Sequence, residues 1–302
     1  MKTILPRHFG RSTMYNFIRE TLFKVSQDSE KAIVFDFSEM VFIEPSGITI
    51  LANFIHFIRK LHCSVSFCFP TLPDRPSPRN PIKFLDDAGF FQIFLKKKLF
   101  PNSTLRSTTL PYMNIFCSDT VQWLNSTFEP WLKKNIHVKN FNGLEEVKVC
   151  IQEIFHNISD HSGQEIGCVF GQYFPSNQNP GYEKVKIAIS DFGYGIPYNV
   201  KNKEGKISDS DALKLSILEG YSTKSTPRNR GAGLDVLISN VVKNNGGEVH
   251  IHSNNGALSC LNCGGETILN KSETQYYPGT FFEIVFNPSW FLKFEEEEVF
   301  SW

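Results

Sequence analysis

The stretch AISDFGYGIP, residues 188–197, decides how we interpret the fold. It continues a short apolar run over 185–189, which is typical of a buried strand. The run ends at Asp191, and Gly193 and Gly195 follow at once. Because glycine carries no Cβ atom, it lets a chain turn sharply or pass close to a ligand. The pattern therefore predicts a strand that delivers a single carboxylate into a loose turn.

A second polar pattern lies upstream, in NGLEEVKVCIQEIFHNISDHS over 142–162, whose apolar residues recur at helical spacing. Within it, Glu153, Asn157 and His161 are four residues apart. That spacing places them on one face of the predicted helix, one turn from each other. The face is either the solvent side of the helix or the wall of a polar site. The stretches that follow in the chain favour a polar site.

Two further glycine-containing stretches follow Asp191 in the chain. NRGAGLDVLISN places Gly231 and Gly233 at the start of a predicted helix, where free N–H groups and the helix dipole favour phosphate. Arg230 adds a positive charge beside them. Later, a Gly-Thr pair that ends in Thr280 opens the predicted strand TFFEIVF. Together these pieces offer a carboxylate for the exocyclic amine of a base, a helix start for phosphates and an amide oxygen for a hard cation.

In this order the motifs resemble those of the GHKL family of ATP-binding domains, which includes gyrase, Hsp90, histidine kinases and MutL. The matching motifs are an N box, EIFHNISDH; a first glycine box, DFGYGI; a lid with the second glycine box, GYSTKSTPRNRGAGL; and a final box, GTFF. The resemblance covers roughly residues 140–290. It implies an α+β fold, a two-layer α/β sandwich of the Bergerat ATP-binding type.

The resemblance also assigns roles to residues. It implies that Asp191 accepts a hydrogen bond from the adenine amine and that Asn157 coordinates the Mg²⁺ that bridges the phosphates. Glu153 stands where members that hydrolyse ATP or phosphorylate serine keep their general base. The lid, about 198–230, is expected to move until ATP binds. The implied cofactor-binding residues are Asn157, His161, Asp191, Gly193, Gly195, Ile196, Thr223, Lys224, Arg230, Gly231, Gly233, Leu234 and Thr280.

The upstream segment alternates helical and strand patterns. The spacing predicts helices over 12–25, 46–62 and 80–94 and strands over 31–37 and 64–69. Within them, KAIVFDFSEMVFIEPSGITILANFIHFIRK resembles the STAS, or anti-sigma-factor-antagonist, family, in which a strand leads through a short turn into an amphipathic helix. The N-terminal half is therefore expected to be a STAS-like α/β domain.

The turn departs from the STAS pattern at its phosphorylation site. Pro45 stands where that family carries its phosphorylated serine, and Glu44 replaces an aspartate. Proline has no hydroxyl group, so the usual phosphorylation switch is expected to be lost. Ser46 matches the family's second serine, and we expect it to cap the helix. The domain would then bind partners constitutively or serve as a built-in docking surface for the ATPase half.

We predict two domains on these grounds. A STAS-like regulatory or docking domain spans 1–105, a linker spans 106–118, and a GHKL ATP-binding domain spans 119–302. The linker is placed by FPNSTLRSTTLP, which is rich in Pro, Ser and Thr and has no sustained apolar period. STAS-like antagonists normally meet GHKL kinases as separate chains, so one polypeptide would raise the effective concentration of that contact.

Composition excludes several classes of protein. Lys plus Arg and Asp plus Glu each number 31, and a net charge of +0 argues against a nucleic-acid partner or an electrostatic membrane anchor. No apolar run approaches the roughly 20 residues of a membrane span, and the N-terminus lacks a signal-peptide pattern, so we expect a cytoplasmic protein. The pair Cys260 and Cys263 has CxxC spacing; it marks either a hairpin tip, which we favour, or half of a zinc site.

The two resemblances predict a Mg-ATP-binding regulatory protein of the anti-sigma-factor, serine-kinase-like type. It would hydrolyse ATP or transfer its γ-phosphate to a protein serine. The expected cofactors are ATP and Mg²⁺, and the expected partner is a regulator or phosphoacceptor protein. Both families commonly self-associate, so a homodimer is a further partner that the resemblance implies.

Two alternatives stay open. One is an ATP-gated clamp or assembly module like Hsp90 and MutL, which ranks lower because the chain ends soon after TFFEIVF, where that class has a second domain. The other is a nucleotide sensor with little turnover, against which Glu153 argues. None of the 8 histidines lies in the sequence context of a phosphoacceptor helix, which argues against a complete histidine kinase.

Overall fold

The computed structural model describes residues 1–27, 31–136, 143–176, 182–221 and 233–288. These residues form a mixed α+β architecture around two main sheets. The N-terminal part holds a parallel sheet with helices, and the C-terminal part holds a five-stranded antiparallel sheet packed against helices.

The N-terminal part is built from short strands and four helices. A parallel sheet of order β1-β3-β5 forms its centre, and β2 pairs with β4 beside it. The elements are β1 (Lys2–Ile4), β2 (His8–Phe9), α1 (Met14–Gln27), β3 (Ala32–Asp36), β4 (Phe42–Ile43), α2 (Pro45–Lys60), β5 (Ser64–Cys68), α3 (Pro81–Asp87) and α4 (Phe90–Leu95).

The C-terminal part is built around a sheet of order β6-β7-β8-β10-β9, in which all neighbours are antiparallel. A π-helical turn, Leu124–Phe128, joins its first two helices, and another, Ser239–Asn244, continues its last one. The elements are β6 (Thr109–Phe116), α5 (Thr120–Trp123), α6 (Glu129–Asn135), α7 (Leu144–His161), β7 (Ile166–Phe174), β8 (Lys184–Asp191), α8 (Ile196–Glu204), α9 (Asp209–Ser216), α10 (Leu234–Ile238), β9 (Glu248–Cys263) and β10 (Glu266–Phe286).

The apolar spacing located α1, α7 and β8, and the stretch EIGCVFGQYF over 165–174 likewise predicts a strand where β7 lies. The stretch 106–118, which the sequence indicated as a linker, instead contains β6, the edge strand of the five-stranded sheet. Pro111 lies inside this strand and interrupts its pattern; an edge position tolerates proline because one side of the strand makes no ladder hydrogen bonds. The hairpin tip at Cys260 and Cys263 is confirmed, because β9 ends at Cys263 and Glu266 of β10 pairs with it.

Helix α2 is buried on more than one side. Every residue from Ser46 to Ile55 is buried, whereas the sequence predicted an amphipathic helix with a solvent face. One side packs into the N-terminal core, where the Phe54 ring contacts those of Phe17 and Phe35. The other side packs against β7 and β8. The prediction was wrong because a helix between two sheets has little solvent face to mark with polar residues.

The start of α2 also differs from expectation. Glu44 occupies the N-cap position and Pro45 is the first helical residue, which suits proline because the first N–H of a helix has no partner within it. Ser46 is buried inside the first turn and does not cap the helix. The predicted cap was therefore placed too late in the sequence.

The five-stranded sheet contributes to two apolar layers. One face packs against α7 and α10 through Ile189, Ile251 and Phe282. The opposite face contributes Phe170 and Phe281, among others, to the core of the N-terminal part. The sheet therefore lies between its own helices and those of the N-terminal part. In the described ranges, no helix has the length and apolarity that crossing a membrane requires.

A substitution at Phe281 tests how strongly the stability of the fold depends on packing between the two parts. The Phe281 side chain is 0% exposed and lies in the layer between the sheet and the N-terminal core. We expect Phe281→Ala to lower the free energy of unfolding by about 3–5 kcal/mol, since it leaves a cavity in a closed layer. Phe116→Ala makes the same change at a side chain that is 51% exposed, and we expect it to cost less than about 1 kcal/mol. Urea unfolding measures both, and equal losses would contradict the packing described.

Candidate functional site

Asp191 lies on the side of the five-stranded sheet that packs against α7 and α10, hereafter its helix-facing side. Side chains alternate between the two faces of a strand, so those of Ile187 and Ile189 fix the direction of the last residue of β8. Ile187 and Ile189 belong to the apolar layer under α7. Asp191, two residues further, therefore points to the same side and ends that layer with a carboxylate.

The two neighbouring strands end the layer in the same way. Thr280 pairs with Asp191 across β10 and β8, and with Ser253 across β10 and β9. Thr280 lies two residues from Phe282, and Ser253 two residues from Ile251, so each shares a face of the sheet with that neighbour. Phe282 and Ile251 both lie in the helix-facing layer. Asp191, Thr280 and Ser253 are all buried and form one polar row, hereafter the polar row.

The row is held together by its own hydrogen bonds. The Ser253 hydroxyl donates to the Gly279 carbonyl oxygen at 2.8 Å and lies 2.9 Å from the Thr280 hydroxyl. It also accepts a hydrogen bond from the Ile196 N–H at 3.0 Å, which fixes the start of α8 above the row. The strand ends and the turn after Asp191 thus form one connected unit.

The turn after Asp191 packs against the C-terminal end of α7. The Gly193 N–H donates to the Asp191 carboxylate at 2.8 Å, and the Tyr194 N–H donates to the Ser162 carbonyl oxygen at 2.9 Å. A Cβ atom at Gly193 would lie 2.1 Å from that same carbonyl oxygen. Glycine is therefore required at 193 by the close approach of the helix.

Asp191 is only 2% exposed, and this burial disfavours the charged form of its carboxyl group. Burial raises the pKa of its carboxyl group from 3.8 to about 7, although backbone hydrogen bonds from Gly193 and Thr280 and the charge of Lys60 all oppose that rise. Near neutral pH the group is therefore a buried acceptor that a hydrogen-bond donor could hold in its charged form. Strongly shifted groups of this kind are more frequent at functional sites than elsewhere.

A second group of expected residues lies along α7. The Asn157 side-chain amide donates to the Glu153 backbone carbonyl oxygen at 2.9 Å, and His156 Nδ1 lies 3.5 Å from the Glu153 carboxylate. Burial raises the pKa of Glu153, nearby Asp160 and Asp235 raise it further, and His156 opposes them. Since Asp235 belongs to α10, the start of that helix lies beside Glu153.

The remaining expected residues fall into three sets. The Gly233 N–H donates to the Asp235 carboxylate at 3.0 Å, and Leu234 is buried in the core beside it. His161 ends α7, and its carbonyl oxygen accepts a hydrogen bond from the Asn199 side chain of α8 at 2.8 Å. Four expected residues lie outside the described ranges: Thr223, Lys224, Arg230 and Gly231.

The structure thus brings Asp191, Gly193, Gly195, Ile196 and Thr280 into one unit. Glu153 and Asn157 lie together on α7, and the start of α10, where Gly233 and Leu234 lie, is near Glu153 through Asp235. The two units lie at different positions along α7. Sequence reasoning missed Ser253. The strand pattern EVHIHS contained the signal, because Ser253 has the parity of two buried apolar residues, Val249 and Ile251.

The donor chemistry bears on which groups could bind. In the part of the chain that is described, no group of three or more His, Cys, Asp or Glu residues could hold a metal ion. A cation here would need oxygen ligands from a bound molecule in addition to the Asn157 amide oxygen, as Mg²⁺ commonly does with phosphates. The buried carboxylate and the hydroxyl groups of the polar row suit an amine-bearing ring.

A scan of protein-family models found no match to this chain, and a search of curated proteins found no similar sequence. These two comparisons assign the chain to no family.

Gly195 offers a matched test of the turn. Its φ is +81°, and an added Cβ would lie 2.7 Å from the Ser253 hydroxyl and 2.8 Å from the Asn254 side-chain oxygen. Gly205 has a similar φ, +86°, with nothing within 4 Å of an added Cβ. We expect Gly205→Ala to cost about 1–3 kcal/mol of stability from backbone strain, and Gly195→Ala to cost about 1–3 kcal/mol more from overpacking. Chemical denaturation measures the difference, and equal losses would contradict the contact.

Asp191→Asn should change how stability depends on pH. Because the pKa of Asp191 is raised in the folded state, the contribution of this group to the free energy of unfolding falls as pH rises from about 4 to 7. Above pH 7 that contribution stays level. The amide cannot ionise, so we expect the variant to gain about 2–3 kcal/mol relative to the wild type between pH 5 and pH 8. Urea unfolding at both pH values measures this gain.

Asp209→Asn is the control for that prediction. Asp209 is also buried, and burial would raise its pKa, but hydrogen bonds from Lys201 and Asn255 outweigh burial and lower it. Its charged form therefore stabilises the fold above the ordinary pKa of an aspartate, and this control should lose stability at pH 8. The same response from both variants would contradict the burial of an unpaired charge at Asp191.

Proposed function

We propose that this protein binds Mg-ATP as a regulatory protein of the GHKL type. In this proposal the C-terminal part is a Bergerat-type sandwich, and the N-terminal part is a STAS-like domain. The observation that carries the proposal is the polar row of Asp191, Thr280 and Ser253. It ends an apolar layer on the helix-facing side of the sheet, next to a glycine turn that packs on α7.

Asp191 is the proposed contact for adenine. An ionised carboxylate accepts a hydrogen bond strongly from an exocyclic amine, and burial strengthens that bond because the local dielectric is low. Guanine carries a carbonyl oxygen at the position of the adenine amine, which a carboxylate would repel. The raised pKa of Asp191 also means that an amine donor would favour the charged form, so binding should strengthen as pH rises through about 7.

Glu153 is the proposed general base. Its raised pKa moves a carboxylate toward the range in which proton transfer is efficient near neutral pH. The carboxylate would take the proton of a serine hydroxyl or a water. The oxygen then forms a bond to the γ-phosphorus while the bond to the β-γ bridging oxygen breaks and ADP leaves. Asn157, one turn further along α7, would offer its amide oxygen to Mg²⁺, which neutralises charge on the phosphates when bound.

The phosphate contacts of this proposal involve residues that the structure does not describe. They are Thr223, Lys224, Arg230 and Gly231, which the GHKL resemblance implies. A protein serine is the proposed acceptor in the transfer reaction, and a second copy of the chain is a further proposed partner.

A nucleotide sensor with little turnover is the second candidate. It is favoured by the packing of α2 directly behind β8, the strand that carries Asp191. Such a contact could transmit an occupied site to the N-terminal part without chemistry. The two candidates differ in whether Glu153 is needed for anything beyond binding.

The test uses ATP labelled at the γ-phosphate, with Mg²⁺, and follows both free phosphate and label on protein. We expect Glu153→Gln to lower turnover by at least about 100-fold with little change in affinity, because it removes only the base. Asp191→Asn should abolish binding by removing the charged acceptor. Glu145→Gln is the control on the same helix, since the Glu145 side chain is 74% exposed, and it should leave both quantities unchanged.

Three outcomes separate the proposals. Turnover that needs Glu153 supports the enzyme. Binding that needs Asp191, with no phosphate and no label in any sample, supports the sensor. A wild-type protein that does not bind ATP would contradict both.

A further inference from the structure

A stripe of side chains on α2 lies over the end of β8 and the turn that follows it. The stripe consists of Thr49, Asn53, His56 and Lys60, whose spacing places them along one side of the helix. The Thr49 hydroxyl lies 3.5 Å from the Ala188 carbonyl oxygen. Further along, the His56 ring stacks on Phe192 with 5.5 Å between centroids. The stripe therefore follows β8 toward Asp191.

The last residue of the stripe reaches the turn itself. The Lys60 ammonium lies 6.0 Å from the centroid of the Phe192 ring and 5.9 Å from that of Tyr194. These rings flank Gly193, whose N–H binds the Asp191 carboxylate. Lys60 thus places a positive charge from the N-terminal part close to the proposed adenine contact.

Asn53 is the central member of the stripe and is 0% exposed. Its side-chain amide donates to the Tyr277 hydroxyl at 3.2 Å and to the Pro278 carbonyl oxygen at 3.1 Å. Within the described residues, its side-chain oxygen is buried without a hydrogen-bond partner. Because an unpaired buried acceptor destabilises the fold, the net contribution of Asn53 depends on the two hydrogen bonds that its amide donates.

A chain of hydrogen bonds continues from Asn53 to the polar row. The Ser190 hydroxyl donates its single proton to the Thr280 carbonyl oxygen at 2.7 Å. In the 2.9 Å contact between Ser190 and Tyr277, the phenol must therefore be the donor. Burial raises the pKa of Tyr277 well above its usual value, which keeps that proton in place. The direction is thus set throughout, from Asn53 through Tyr277 and Ser190 to Thr280, and such chains reinforce their members.

The same bonds hold a bulged segment of β10, hereafter the 277–280 turn, where the pairing register with β9 shifts. Between Tyr277 and Thr280 the chain passes through Gly279, whose φ is +74° and whose added Cβ would lie 2.2 Å from the Asp191 carbonyl oxygen. From β9, the strand on the other side of β10, the Ser253 hydroxyl donates to the Gly279 carbonyl oxygen. Any shift of this turn would therefore displace both neighbours of Thr280 in the polar row.

We propose that Asn53 is a positioning residue for the Asp191 site. Through Tyr277 and Ser190, the N-terminal part of the chain holds the 277–280 turn in the shape that the polar row needs. Ligand binding at Asp191 and docking of α2 on the sheet then favour each other, because coupling between two sites is reciprocal. The identity of the ligand rests on the proposed function, whereas the bracing of the turn does not.

The first arm of the test needs no ligand. Hydrogen exchange of the full chain is compared for the wild type, Asn53→Ala and Tyr277→Phe; the second variant removes only the hydroxyl and keeps the packing. We expect amides in 277–282 and 189–196 to exchange at least about threefold faster in both variants, as loss of one hydrogen bond predicts.

Arg11→Ala is the control, because Arg11 pairs with Glu283 at 3.6 Å in the same interface, and among the described residues no hydrogen bond or ion pair joins it to the turn. It should leave the exchange of both segments within about twofold of the wild type, because Lys186 also lies 3.6 Å from the buried Glu283 carboxylate and keeps a cation beside it. Unchanged exchange in both test variants, or an equal effect of Arg11→Ala, would overturn the inference.

The second arm uses a non-hydrolysable ATP analogue. We expect Asn53→Ala and Tyr277→Phe to weaken its binding by about 3–10-fold and Arg11→Ala by less than about twofold. The analogue should also slow exchange in residues 48–58 of the wild type. If the analogue binds normally to both test variants, the inference fails and the proposed function stands. If the wild type does not bind the analogue, the proposed function fails and the first arm still decides the inference.

Discussion

The burial of α2 between two sheets is the constraint on which the rest of this structure depends. The helix packs against the N-terminal core on one side and against β7 and β8 on the other, so it serves both parts. Its apolar residues belong to one core cluster that also includes Phe170 and Phe281 of the sheet, while Thr49 and Asn53 make hydrogen bonds in a region that water does not reach. Without α2, the outward face of the five-stranded sheet would expose a large aromatic surface.

The candidate site uses the opposite face of the same sheet. There the apolar layer ends in a row of polar side chains, and burial raises the pKa of Asp191 because it penalises the charged form. Burying a carboxylate without a cationic partner lowers stability, and folded proteins tolerate such groups mainly where a function uses them. Glycine is required at 193 and 195 for steric reasons, because residues at the end of α7 and in β9 leave no room for a larger side chain.

The two faces are connected through the strands themselves. Ser190 and Asp191 are adjacent but point to opposite sides of β8, one toward α2 and the other toward α7. A hydrogen bond on one face therefore fixes the backbone that presents a functional group on the other. This geometry explains how a helix on one face of the sheet can act on polar side chains that point from the other face, and it suits either an enzyme or a sensor.

Local sequence patterns determined a large part of this picture. Apolar spacing located α1, α7, β7 and β8, and the two glycines after Asp191 indicated a turn where the structure has one. Short-range rules succeed at these positions because their cause is local: the period of a helix or strand, and the absence of a Cβ atom.

Other features were decided only by the tertiary structure. The spacing of α2 could not show that a second sheet covers its outer side, so an amphipathic helix was expected where a buried one exists. The sequence did not predict β6, because Pro111 interrupts its strand pattern. An edge strand tolerates proline, but only the order of strands in the sheet shows that β6 is at the edge. Asn53 has no local signature of function, because its role depends on Tyr277 and Pro278, far away in the chain. Strand parity shows which face Ser253 occupies, but not that it meets Gly279 and Thr280. The sequence by itself determined most of the elements and the position of the Asp191 turn, because their causes are local. Only packing decided which faces are covered and which side chains meet.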